Sequence, residues 1–247
     1  MATAVKEKKV QIVHQTNSYV IVNKPFDMHI NSNEEDVKPT VATQLAELLP
    51  TLVDKSICFG FRFVNRLDYA TSGLLCIAFD KRAANMARKL FEANHVSKKY
   101  LALVRGILSR DNGDILVRKA IGLDRRDPRG FRMCIPDHNP HLCQSPKAAE
   151  TLIRILGYGK YDGEDITKIS LSPVTGRRHQ LRVHCLTLGH CIVGDYTYSN
   201  EVDSKPYRMM LHSYSLKIPL QDCPAIEVTT YDPFLPDHDP LLQLENN

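Results

Sequence analysis

Apolar residues gather in short runs divided by polar or proline-containing turns, a pattern of many strands interrupted by a few helical stretches. Val10 to Val13 and Tyr19 to Val22 predict two strands around the turn Gln15-Thr16-Asn17-Ser18, with Pro25 stopping the second. Asp27 to Pro39 is polar and expected as a loop. From Thr40 to Leu49 the apolar positions Val41, Leu45, Leu48 and Leu49 approach helical spacing, with Pro50 just beyond. Lys81 to Asn94 predicts an amphipathic helix with Ala84, Ala87, Leu90 and Phe91 on one face and Met86 as core filler. Lys98 to Val104 returns as a strand. Arg118 to Arg132, with Pro128 and Gly130, predicts a basic loop or hairpin, and Asp137 to Pro146 an insertion or surface loop. Glu150 to Leu156 and Ile166 to Ser172 predict two strands on either side of a glycine-rich turn, Gly157 to Gly163.

Two stretches of this pattern carry candidate chemistry. Between Phe59 and Asp80, two apolar runs flank a short polar turn that holds Arg66 and Asp68. Such a turn surfaces between buried elements, so its carboxylate is presented by a rigid frame, and Thr71, Ser72 and Gly73 are turn formers. The plain alternative is that Asp68 caps its own turn and pairs with Arg66. The second stretch runs from Leu171 to His184 and reads as strand, Thr175-Gly176 turn and helix start. No Asp or Glu occurs from Ile166 to Gly194, so cations and backbone N–H groups converge as an anion site. A metal site is the rival, since His179, His184, Cys185, His190 and Cys191 cluster here. The two former histidines are five apart and no acid accompanies them, so no metal is expected.

Composition narrows the class. With 247 residues, 43% hydrophobic and 24% charged, the chain is expected as one large or two small globular domains. Its net charge of +4 conceals an asymmetry, because residues 1–217 carry +10 and the remainder is acidic. A basic body suits a polyanionic partner, the alternative being a solubility pattern. Seven scattered cysteines lack Cys-x-x-Cys spacing, which fits reduced thiols in the cytosol or nucleus. No apolar run is long enough to cross a membrane, and no signal-peptide core opens the chain.

The string Asn65-Arg66-Leu67-Asp68-x-x-Thr71-Ser72-Gly73-Leu74-Leu75 resembles the His-Arg-Leu-Asp-x-x-Thr-Ser-Gly-Leu-Leu signature of RluA-type RNA pseudouridine synthases, with Asn65 in place of His. Asn23-Lys24-Pro25 resembles the family's first motif. Lys98-Lys99-Tyr100-Leu101-Ala102 resembles its Lys-x-Tyr-x-Ala strand, with two lysines before the tyrosine. The run from Thr175 to His184 resembles Thr-Gly-Arg-x-His-Gln-Leu-Arg-Val-His, Arg178 standing where Thr is common. Gly194-Asp195-x-x-Tyr198 and Arg208 to His212 continue the likeness, which reaches from Tyr19 to Pro236, although Cys191 replaces a frequent Pro. The ending Asp232-Pro-Phe-Leu-Pro236 is similar to the subgroup called RNA pseudouridylate synthase domain-containing protein 1.

The resemblance implies an α+β pseudouridine synthase fold: a long, curved, mostly antiparallel mixed sheet flanked by helices and loops. Residues 1–17 would be a basic arm, 18–236 the catalytic domain without an S4 domain, and 237–247 an acidic tail. The implied activity is isomerisation of uridine to pseudouridine in structured RNA by a catalytic Asp with base flipping, without a cofactor. Asp68 would act on the sugar or base, Tyr100 would stack on the uracil, and Arg182 would pair with the catalytic carboxylate. RNA or substrate contacts would come from Asn65, Arg66, Thr71, Ser72, Lys99, Arg177, Arg178, His179, Gln180 and Leu181. The RNA could be tRNA, rRNA or mRNA, the protein a monomer, and its place the cytoplasm or nucleus. The alternative is a catalytically silent RNA-binding protein that keeps the fold.

Overall fold

The computed structural model describes residues 8–110, 113–137, 140–220 and 224–245. The first seven residues of the basic arm, Cys223 and the last two residues of the acidic tail lie outside them. In chain order the elements are β1 (Gln11–Gln15), β2 (Tyr19–Lys24), α1 (Val41–Leu48), β3 (Arg62–Phe63), β4 (Ser72–Ala78), α2 (Lys81–Glu92), β5 (Ser97–Arg105), β6 (Ile115–Arg118), β7 (Ile121–Asp124), β8 (Met133–Cys134), β9 (Cys143–Lys147), β10 (Glu150–Tyr161), β11 (Glu164–Pro173), α3 (Gln180–Thr187), β12 (Leu211–Ile218), β13 (Ile226–Thr229) and β14 (Leu242–Leu244). They form two compact units: residues up to Val96 with Ser215–Thr230, and Ser97–Tyr214 with the residues from Tyr231 onward.

In the first unit β1 pairs antiparallel with β2, and β2 with β4 from Tyr19 opposite Ala78 to Lys24 opposite Gly73. Every residue of β2 and β4 is buried, which is why both read as unbroken apolar runs rather than alternating ones. α1 opens on a capping box, with Thr43 N–H donating to Thr40 Oγ1 and Thr40 N–H to Thr43 Oγ1. α2 starts at Asp80, whose carboxylate accepts the Ala83 N–H at 2.8 Å. The expected face packs inward, with Ala83 added to it. Ala83 and Ala87 join Tyr19, Ile21, Leu74 and Cys76 in the core, while Ala84, Leu90 and Phe91 pack at the margin and Met86 is half-buried.

In the second unit the strands lie side by side as β6, β10, β11, β5, all antiparallel, and β14 pairs with the far end of β10. The expected turn at Gly157 to Gly163 is instead strand. β10 runs on to Tyr161, with a bulge between Ile155 and Gly157, and the turn shrinks to Asp162-Gly163, both at positive φ. β11 pairs with this stretch throughout, and β14 lies on its other edge: a Cβ at Gly159 would collide with the Gln243 carbonyl, so glycine there admits a neighbouring strand. The expected surface loop at 137–146 also contributes β9, which pairs with β7 in a small sheet of β8, β7 and β9. The basic stretch from Arg118 forms the β7–β8 hairpin of that sheet. The six described cysteines are free, and no described helix is long and apolar enough to cross a membrane.

Candidate active site

In the first unit the Asp68 turn is built from beneath by a lysine. Asp68 accepts the Thr71 N–H on its carbonyl at 3.1 Å, closing the turn, and its side chain is half-buried. Lys24, at the end of β2, is fully buried; its ammonium donates to the carbonyls of Pro25 at 2.8 Å and of Met28 and Tyr69 at 2.9 Å. These acceptors satisfy the charge that burial would otherwise leave bare. Tyr69 follows Asp68 directly, and its carbonyl also receives the Met28 N–H at 3.2 Å. The lysine is therefore a positioning residue for the turn. Its signal in the sequence was the Asn23-Lys24-Pro25 motif.

Asn65, expected to touch RNA, has a structural task. The paired residues of β3 and β4 end at Phe63 and Ile77. Val64 N–H still reaches Cys76 O, and Asn65 Oδ1 then accepts the Cys76 N–H at 2.8 Å in place of a carbonyl. Thr71 and Ser72 are buried at 2% and 4% exposure, so neither offers a surface contact. Arg66 is exposed.

In the second unit, parity along the strands decides which side chains meet. Tyr100 lies opposite Leu171, and Leu171 opposite Ile153, with no shift of register between them. Alternation puts Lys98, Tyr100 and Thr151 on one face of this sheet and Lys99 and Leu101 on the other. Lys99 borders a pocket with Leu101, Ser170, Tyr214 and Asp232, on the face away from Tyr100. Lys98 is the lysine beside the tyrosine. It is half-buried near Gly176, and loss of water lowers its pKa.

α3 packs on the Tyr100 face. Gln180 Nε2 donates to Glu150 O and Thr151 Oγ1, both at 2.9 Å, while Oε1 accepts from Thr175 Oγ1 at 2.7 Å and from Arg177 N–H at 2.9 Å. Gln180 is thus a buried brace of the turn, and it engages the Arg177 N–H. His184 is fully buried and bonds Thr151 Oγ1 at 2.9 Å and Lys119 O at 3.1 Å. A carbonyl only accepts, so Nε2 carries the hydrogen and Nδ1 accepts from the threonine; burial lowers the pKa and keeps the ring neutral.

Arg182 is held by residues the sequence had not assigned. Its Nε donates to Asp195 Oδ2 at 2.7 Å and its Nη2 to Asp195 Oδ1 at 2.8 Å, both side chains being buried. Its guanidinium also lies 4.8 Å from the Tyr198 ring centroid, with Arg132 at 5.3 Å from the same ring. Tyr198 OH bonds His179 Nδ1 at 2.9 Å and accepts the Met133 N–H at 2.9 Å. The Gly194-Asp195-x-x-Tyr198 string was the available signal. Leu181 is buried, whereas Arg177 and Arg178 are exposed and donate to the Ala148 and Gly130 carbonyls. Through Tyr198 the second unit therefore links Arg182 with His179, and Arg177 and Arg178 are exposed on the turn that leads into α3.

Comparison with known proteins identifies the family. The family described as RNA pseudouridylate synthase matches residues 18–187. The chain is 45% identical over 232 residues to RNA pseudouridylate synthase domain-containing protein 1 of Danio rerio, covering 94% of this chain and 78% of that protein. It is 30% identical over 209 residues to the dual-specificity RNA pseudouridine synthase RluA of Yersinia pestis, covering 84% of this chain and 91% of that one. The solved structure of human RNA Pseudouridylate Synthase Domain Containing 1 aligns with a TM-score of 0.84 at 38% identity, over 98% of this chain and 91% of that chain. The α+β pseudouridine synthase fold expected from the motifs is the fold of this protein, and the chain belongs to the RNA pseudouridylate synthase family.

Proposed function

We propose that this protein converts uridine to pseudouridine within structured RNA, with Asp68 as the catalytic carboxylate, Tyr100 as the ring that stacks on the uracil and Arg182 as the cation of the centre. The observation that carries the reading is that all three fall inside the one span, residues 18–187, that matches the family. The reaction breaks C1′–N1, turns the uracil and joins C1′ to C5. The hydrogen lost from C5 is balanced by one gained at N1, so no cofactor is consumed. Attack at C1′, addition at C6 and a glycal route all begin with an ionised Asp68. A stacked uridine must leave the helix to be reached, so the base is flipped, and Arg66, exposed two residues before Asp68, fills the vacated space or clamps a phosphate. Tyr100 holds the uracil by stacking and relays the C5 proton. The substrate is an RNA of the tRNA, rRNA or mRNA class, met in the cytoplasm or nucleus by a monomer; the free thiols support that location.

Pseudouridine mapping of total RNA, by a chemical-adduct stop assay, tests this in cells carrying wild type or Asp68→Asn. Sites present with the wild type are expected to vanish with the variant, while purified Asp68→Asn still binds RNA. If no site vanishes and the protein still binds RNA, it is a silent RNA-binding module instead.

A further inference from the structure

The β7–β8 hairpin displays an aromatic ring that neither unit's core nor the proposed chemistry uses. Phe131 is 56% exposed, although an aromatic of this size is ordinarily buried. The loop that carries it is locked. The Asp127 carboxylate accepts backbone N–H bonds from Arg129 at 3.2 Å, Phe131 at 2.8 Å and Arg132 at 2.6 Å, which hold its pKa down to about 2. Gly130 N–H returns to Asp127 O at 3.1 Å, with Gly130 at a φ of 66°. Asp124, itself buried, takes Arg126 on both carboxylate oxygens at 2.8 Å. Arg132 donates to Thr197 O at 3.0 Å and lies over Tyr198, which ties the hairpin to the residue stacked on Arg182.

Arg178 closes over Phe131. Its guanidinium is 5.3 Å from the ring centroid, and Nη1 donates to Gly130 O at 3.3 Å. Arg178 against the ring is exposed, as is Arg129 two residues before Phe131, while the Asp127 side chain is nearly buried, so the charge presented beside the ring is basic. A preorganised aromatic beside basic side chains matches what an unpaired nucleobase between two phosphates needs: a π face for the base and guanidinium groups for the backbone. Paired RNA offers the same phosphates but no free base face. We propose that Phe131, backed by Arg178, is a stacking platform for an unpaired base flanking the modified uridine. The inference rests on the RNA-modifying reading above and adds a specificity-determining contact to it.

The test uses the full chain as wild type, Phe131→Ala and Phe131→Trp, titrated by fluorescence anisotropy against a fluorescein-labelled single-stranded RNA of mixed sequence and the same strand annealed to its complement. Phe131→Ala is expected to weaken single-strand binding by about 5- to 100-fold, the size of one lost base stack, and to leave duplex binding and the salt slope unchanged because no charge is removed. Phe131→Trp is expected to bind the single strand at least as well as wild type. Equal single-strand binding by Phe131→Ala and wild type, or an equal loss for both RNAs, overturns the platform. If the wild type forms no pseudouridine but Phe131→Ala loses single-strand binding, the platform stands and the catalytic reading falls. The opposite pair of results has the opposite meaning.

Discussion

Arg182 and Asp195 form a two-pronged ion pair inside the second unit, at 2.7 and 2.8 Å, with Asp195 1% exposed and Arg182 7%. Asp195 Oδ1 also accepts the Tyr198 N–H at 3.1 Å, so one carboxylate orients both the guanidinium and the ring stacked on it. Asp195→Asn would withdraw the two-pronged counter-charge from a buried cation. That loss costs about 3–5 kcal/mol in comparable buried pairs. Urea unfolding should show a lower midpoint, and pseudouridine formation should fall more than RNA binding does. Unchanged turnover in a folded variant would remove Asp195 as a positioning residue.

Lys24→Met keeps the length and apolar stem of the side chain but withdraws the donor from three carbonyls. Each acceptor left unpaired costs about 1–3 kcal/mol, although Tyr69 O keeps its bond from Met28 N–H. The expected result is a loss of several kcal/mol in stability, and lower turnover by whatever protein remains folded, because Tyr69 sets the backbone beside Asp68. Wild-type turnover in a folded Lys24→Met would show that the turn holds without it.

Lys98 and Lys99 give a sharper contrast. Lys98 shares the Tyr100 face and is partly desolvated, whereas Lys99 points to the opposite face. Lys98→Met is expected to reduce single-turnover pseudouridine formation by roughly ten- to a hundredfold, as removal of a preorganised cation does. Lys99→Met should stay close to wild type. A reversal of the two would overturn the strand parity as a guide to the site.

Stability should also fall in mild acid. Burial first, and the Arg208 cation second, lower the pKa of His212 to about 3 from an ordinary 6.5, and burial lowers that of His184 as well. Both rings stay neutral in the folded chain, while the unfolded chain takes up a proton on each near pH 6.5. The unfolded state then binds more protons, so stability drops as pH falls from about 6.5 toward 3, by about 1.4 kcal/mol per pH unit for a histidine deep in this window. Asp54 and Asp127, held to about 2, add their own losses only below about pH 4. Denaturant unfolding at pH 7, 6 and 5 should show this slope, and His212→Gln should flatten it. An unchanged slope in that variant would mean that His212 is charged in the folded protein.

Much of the fold was readable because its signals are local. The first hairpin, the capped starts of α1 and α2 and the turn carrying Asp68 all depend on residues within a few positions of one another. So did the family, since the Asp68 and Arg182 strings are contiguous runs. By itself, then, the sequence determined the family, the principal helices and strands, and the identity of the residues proposed for catalysis.

What only the tertiary structure decided were the long-range partners. The glycines of β10 are strand because β11 pairs with both of them, and β14, more than eighty residues later, lies against Gly159. The resemblance implied RNA contacts for Asn65, Thr71, Ser72 and Gln180; only the packed fold shows that Asn65 and Gln180 bond backbone N–H groups and that Thr71 and Ser72 are buried. Arg182 found Asp195, and Tyr198 found two arginines, across loops that no spacing encodes. The physical reason is the same in each case. A local motif specifies a chain direction and a side-chain chemistry, but a buried charge or donor is settled by whichever complementary group the packed fold delivers within hydrogen-bond reach.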